Sequence, residues 1–107
     1  RKGVIKAWHK HEKQTDYFFV VSGTSKIGLY DGREDSPTYK QYQTVVLGDD
    51  GEQALLSIPP GVWHGQTSLS DYTLLLNLPT EPYNRQHPDE IRAAVEDFDD
   101  VWSTKNR

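Results

Sequence analysis

Apolar and polar positions alternate along most of this chain in short runs separated by glycine, proline and aspartate, and the alternation predicts β-strands. Residues 4–11 read as one strand, with Ile5, Ala7, His9 and His11 on one face and Val4, Lys6 and Trp8 facing outward on the other. Residues 16–21 are aromatic and β-branched and end at a Ser22-Gly23 turn, from which 26–30 returns as the second arm of a hairpin. Asp31-Gly32 closes that arm, and 33–39 form a polar loop containing Ser36-Pro37. Residues 44–47 and 54–58 form the next pair, joined by Gly48-Asp49-Asp50-Gly51. Pro59-Pro60-Gly61 makes a tight corner, because two prolines donate no ladder bonds and Gly61 admits a positive φ. Residues 72–77 are a further buried strand.

Strands this short, with turns this frequent, indicate an all-β sandwich or barrel. From Pro88 onward the pattern changes. Ile91, Ala94, Val95, Phe98 and Trp102 fall at helical spacing and predict a short C-terminal amphipathic helix packed on the barrel, with Asp89 and Glu90 at the positive end of its dipole.

Length and composition narrow the picture. At 107 residues the chain is one domain, 1–107. A net charge of −4 argues against nucleic acid as a partner, which calls for clustered Lys and Arg. No run approaches the roughly 20 apolar residues of a membrane span, and no signal-peptide pattern opens the chain. The absence of cysteine suits a cytoplasmic protein. Methionine is also absent, position 1 included, so we expect these residues to be an excerpt lacking native N-terminal residues.

Chemistry concentrates in two short motifs. Gly3, His9, His11, Asp16 and Gly23 form the first, and Pro59-Pro60-Gly61-Val62-Trp63-His64 the second, so three of the four histidines lie in them. Imidazole titrates nearest neutral pH and is a common metal ligand. Each residue also has a plainer reading: a solvated His-x-His pair, a turn-capping Asp16, and a loop His64 packed on Trp63. The concentration of all of them in two motifs favours function. His87, before Pro88, is assigned no role.

The motif pair resembles the cupin superfamily: glycine, five residues, histidine-x-histidine, three or four residues, glutamate, six residues, glycine, followed later by proline-x-glycine-x-x-histidine. Asp16 stands in the glutamate's place. The resemblance implies a jelly-roll barrel, the cupin double-stranded β-helix, in which many members hold one divalent metal. Here its ligands would be His9, His11, Asp16 and His64.

A narrower resemblance covers most of the chain. Residues 14–33 (QTDYFFVVSGTSKIGLYDGR), Ser36-Pro37-Thr38, residues 58–65 (IPPGVWHG), the tail 77–83 and Pro88-Asp89-Glu90 look like the dTDP-4-dehydrorhamnose 3,5-epimerase group of cupins. Those enzymes are homodimers acting on nucleotide-activated keto-sugars, generally without a metal. The resemblance implies an isomerase that epimerises a dTDP-4-keto-6-deoxy-sugar by proton transfer next to the carbonyl. It makes His9 the base, with Asp97, Asp99 or Asp100 as its acidic partner, and places Lys6, Tyr17, His64 and Asn77 at the substrate. Lys6 replaces a family arginine, which keeps the charge and loses the bidentate fork. Asp16 replaces a lysine near the developing enolate, where a carboxylate opposes the stabilisation required. Asn77 replaces the tyrosine acid, leaving Tyr83 or Tyr17 as substitute proton donor. His11 replaces a glutamine. These departures keep two other readings open: a metal-dependent cupin of another reaction type, and a non-catalytic sugar-binding barrel. In the epimerase reading a dimer forms through the N-terminal strand, and a pocket between the sheets contains Ile5, Ala7, Phe18, Val20, His9, His11, His64 and Leu75.

Overall fold

A computed structural model describes residues 2–82, 86 and 88–103. Among the described residues are eight strands: β1 (Ile5–His11), β2 (Asp16–Ser22), β3 (Thr24–Asp31), β4 (Tyr42–Gly48), β5 (Leu56–Ile58), β6 (Val62–Ser68), β7 (Leu74–Asn77) and β8 (Glu90–Arg92). They form two antiparallel sheets, one ordered β4-β3-β6-β1-β8 and the other β5-β2-β7. The fold is the expected all-β jelly roll.

Six strands lie where the sequence pattern predicts them, whereas β6 and β8 fall on residues it did not assign to strands, and the strand pairing differs. Neither expected hairpin forms, because β2 and β3 lie in different sheets, as do β4 and β5. Gly23, at φ +82°, turns the chain from one sheet to the other. A side chain there would meet the Tyr72 carbonyl at 2.2 Å. Alternation records only that one face of each strand is buried, and a strand crossing to the opposite sheet buries the same set. Between the sheets lie Phe18, Val20, Ile27, Leu47, Ile58 and Val62.

The C-terminal helix is also corrected. Residues 90–92 form β8, which pairs with β1, and the only helical residues described are the 3-10 turn at Val95–Asp97. The apolar residues that suggested a helix are used differently. Phe98 and Trp102 pack edge-on and tilted against Trp8, with ring centroids 5.1 and 5.3 Å away. Trp102 lies over Gly28, where a Cβ would approach its ring to 2.6 Å. Aromatic anchoring on the outer face of the larger sheet replaces helical packing.

That packing explains β1. Trp8, expected on the outward face where a dimer partner would pack, is instead fully buried in this chain's own aromatic layer. Between Lys6 and His9 the register against β6 slips: Lys6 pairs with Gln66 and His9 with His64, so three steps on β1 match two on β6. Such a bulge moves the following residues to the other face. Lys6, His9 and His11 consequently share the inner face, with Trp8 opposite.

Candidate active site

The inner face of β1 opens into a cleft of about 1190 Å3 at one end of the sandwich. Lys6, His9, His11, Asp16, Phe18, His64, Asn77 and Glu90 are among its walls. Of the pocket expected between the sheets, His9, His11, His64 and Phe18 are present, whereas Ile5, Ala7, Val20 and Leu75 are not among the lining residues. Val20 is core, and Ile5 lies on the far side of the bulge. Tyr17 is corrected as well. It falls between the inward Asp16 and Phe18, so it projects from the outer face of β2 and does not line the cleft. Tyr83 lies outside the described residues, as does His87.

Three local devices bring the histidines together. The Pro59-Pro60-Gly61 corner has Gly61 at φ +85°, and its N–H donates to the His11 carbonyl at 2.8 Å, tying the start of β6 to the end of β1. Direct pairing of His9 with His64 then aligns the two strands. Finally, Asp89 pins the loop after β1: its carboxylate accepts N–H bonds from Glu12 and Lys13 at 2.9 Å and from Gln14 at 3.1 Å. Burial pushes the Asp89 carboxyl up, and the three backbone donors outweigh it, leaving the pKa below the usual carboxylate value.

Within the cleft the histidines separate into two groups. His9 Nδ1 lies 3.4 Å from Glu90 Oε2 across the β1–β8 pair. Burial raises the Glu90 carboxyl, but Arg92 and His9 lower it further, so the net shift is downward and Glu90 is a carboxylate at neutral pH. The acid beside His9 is therefore Glu90, not an aspartate of the C-terminal segment. Asp97 caps the Ala94 N–H, Asp100 accepts from the Trp102 and Ser103 N–H groups, and the Asp99 N–H donates to Tyr42. Sequence reasoning missed Glu90 because it took 89–90 as a helix start. Read as strand, residue 90 pairs with His11 two positions from His9.

The other group is His11, Asp16 and His64. Asp16 is 1% exposed, and its Oδ1 accepts a 2.6 Å bond from Gln14 Nε2. Its Oδ2 faces His11 Nε2 at 3.1 Å and His64 Nε2 at 3.4 Å, without a well-formed hydrogen bond among the described residues. One donor atom from each of the three residues lies within 4.8 Å of the others; His9, the fourth residue of the expected ligand set, stands outside this group. Burial pushes His64 down to about 4, only partly opposed by Asp16, so its ring is neutral at pH 7.

Comparison with known proteins gives this geometry a context. The family model for dTDP-4-dehydrorhamnose 3,5-epimerase matches residues 1–106. The chain belongs to the dTDP-4-dehydrorhamnose 3,5-epimerase family. A probable low-salt glycan biosynthesis epimerase of Haloferax volcanii is 44% identical over 92 residues, which are 84% of this chain and 58% of that protein. The spore coat polysaccharide biosynthesis protein SpsL of Bacillus subtilis is 43% identical over 108 residues, covering 98% of this chain and 71% of its own length. Among solved structures, a dTDP sugar isomerase of Desulfovibrio desulfuricans superposes with a TM-score of 0.80 at 36% identity, covering 87% of this chain and 59% of that one. The chain thus spans little more than half the length of some relatives it matches. No helix among the described residues is long and apolar enough to cross a membrane.

Proposed function

We propose that this protein epimerises a nucleotide-linked 4-keto-6-deoxy-sugar, with His9 removing the proton next to the ketone. The observation that carries this reading is the His9–Glu90 pair on the wall of a cleft large enough for a nucleotide sugar. A carboxylate at Nδ1 favours a proton there and leaves Nε2 with the lone pair that a base requires. Glu90 is in this reading a positioning residue. Lys6 and Arg92, also on the cleft wall, supply positive charge for the diphosphate, and Asn77 and His64 offer polar contacts to the sugar. Tyr83, outside the described residues, stays in this proposal as the proton donor that the family resemblance implies. The proposal includes a cytoplasmic location.

The reading is tested by solvent-deuterium uptake at C3 and C5 over a panel of dTDP-, UDP- and GDP-linked keto-sugars. His9→Gln should reduce exchange by about 10²–10⁴-fold, the usual contribution of a general base. Glu90→Gln should lower the rate less and move the acid limb of its pH profile, with Glu90→Asp restoring part of both. Binding of keto-sugars with no exchange would replace this reading by the non-catalytic barrel.

The same proposal includes a homodimer. Its support is the outer face of the β5-β2-β7 sheet, where Val21, Leu55, Leu74, Leu76 and Leu78 are 46–61% exposed beside Tyr17 and Phe19. A contiguous apolar sheet face of this kind marks an interface. Leu76→Asp, with Phe19 as its cross-strand neighbour, should shift the protein to monomer in sedimentation; an unchanged sedimentation coefficient would remove this face from the proposal.

A further inference from the structure

The cleft wall continues past the histidines to Gln66, a side chain that the proposed proton transfer does not use. β6 is the middle strand of its sheet, and Gln66 pairs with Lys6 on one side and with Ile27 on the other, so its place is fixed from both directions. Two residues on from His64, it shares the inner face of β6. Its Oε1 is buried and has no hydrogen-bond partner among the described residues. Buried polar groups are nearly always satisfied, and an amide left without a partner is costly. The torsion that ends the side chain is broad, so a rotation presents either end of this amide to the cleft. What completes it can therefore be part of a ligand.

We propose that Gln66 is a specificity-determining residue that hydrogen-bonds the hydroxyl at C2 of the sugar ring. The assignment rests on the epimerase reading above and follows from the order of neighbours. Gln66 stands next to His64 on the inner face of β6 and opposite Lys6 across the β1–β6 pair, while His64 stands opposite His9. In the epimerase reading His9 works at a carbon next to the C4 ketone, and Lys6 holds the diphosphate carried on C1. On the ring, C2 separates C3 from C1. Two residues along a strand span about 6.6 Å and neighbouring strands lie about 4.8 Å apart, so one hexose bridges the His9–His64 and Lys6–Gln66 pairs. A hydroxyl both donates and accepts, so it satisfies either end of the amide; a methylene satisfies neither. A 2-deoxy sugar would fill the same space, displace water and leave Gln66 unpaired. A site that hydrogen-bonds a substrate hydroxyl rejects the analogue lacking it more strongly than an apolar pocket can. The substrate class is thereby narrowed to sugars that keep the C2 hydroxyl.

The test measures deuterium exchange and, separately, binding by calorimetry. Its probes are dTDP-4-keto-6-deoxyglucose and the 2-deoxy analogue, with the UDP-linked pair alongside. The parent protein should favour the 2-hydroxy sugar by about 10–100-fold in kcat/KM, the penalty for an amide left unpaired. Gln66→Leu should bring the two sugars to near equality, mainly by lowering the rate with the 2-hydroxy sugar. His9→Gln, which removes the base, should keep the preference in binding. Circular dichroism checks the fold of each variant, and Gln66→Met repeats the comparison if Gln66→Leu does not fold. Equal kcat/KM for the two sugars in the parent, a preference retained in Gln66→Leu, or an equal fall for both sugars in that variant would overturn the assignment and leave the epimerase reading standing. Failure of the epimerase reading looks different: the 2-hydroxy sugar binds more tightly, Gln66→Leu abolishes that preference, and neither sugar exchanges deuterium. Absence of both binding and exchange with every probe removes both.

Discussion

Two aspartates sit almost out of reach of solvent in this small sandwich, and their surroundings are opposite. Asp31, 6% exposed at the end of β3, accepts bonds from every side. Arg33 donates through its backbone N–H and Nε to Oδ1, both at 2.9 Å, and through Nη2 to Oδ2 at 3.0 Å. Ser36 Oγ adds a 2.6 Å bond, and the Thr38 hydroxyl another. Asp16, 1% exposed at the start of β2, has one amide donor on Oδ1, while Oδ2 lies beside two imidazole nitrogens without a well-formed hydrogen bond. A fully satisfied buried charge holds a loop in place; a half-satisfied one is costly to keep and is retained where it does chemistry.

Removing each carboxylate is the largest test of that contrast. Asp31→Ala strands the Arg33 guanidinium and two hydroxyls, and should destabilise the fold by about 2–4 kcal/mol in denaturant unfolding. The Arg33 side chain is 39% exposed, which keeps the cost below that of a wholly buried pair. Asp16→Asn should change stability by less than about 1 kcal/mol, since it removes an ill-partnered charge and adds an N–H that can donate to a neighbouring imidazole. Equal losses at the two positions would erase the distinction.

Acid sharpens it next. The Arg33 fork holds the Asp31 carboxyl far below the usual carboxylate range; burial opposes this, and Ser36 and Thr38 reinforce it. A carboxyl with its folded pKa lowered contributes stability that is complete above its unfolded value of about 3.9 and is lost as pH falls below it. Thermal midpoints should therefore decline below about pH 4, and Asp31→Asn should flatten the part of that decline due to this group. A slope as steep in the variant as in the parent would assign acid sensitivity to other carboxylates.

The contrast also explains what could be read from the sequence. His9, His11, Asp16 and His64 were legible because spacing in two motifs singles them out, and Gly61 because a tight corner after two prolines requires its positive φ. Which of the four share a point was not legible. A bulge at residues 7–8 resets the faces of β1, and its cause is the burial of Trp8 under Phe98 and Trp102, about ninety residues away along the chain. Glu90 was hidden for a related reason. Apolar residues that dock singly onto an aromatic layer can fall at helical spacing by coincidence, and helix and strand then predict different neighbours for His9. The Asp31 staple was visible only as a run of loop-forming residues, since its meaning lies in five donors converging on one carboxylate.

The smallest test compares single neutral donors. Ser36→Ala removes one hydroxyl from Asp31 and leaves the Arg33 fork and Thr38 in place, so the carboxylate remains paired and the cost should be about 0.5–1.5 kcal/mol. Ser36 also accepts the Thr38 N–H, so part of that cost belongs to the loop itself. Thr38→Val should lie in the same range, and the double variant should cost more than the sum, because residues bonded to one carboxylate are coupled. Negligible cost in both single variants and in the double would mean that Arg33 alone holds Asp31, reducing the five-donor staple to an ion pair and narrowing its difference from Asp16.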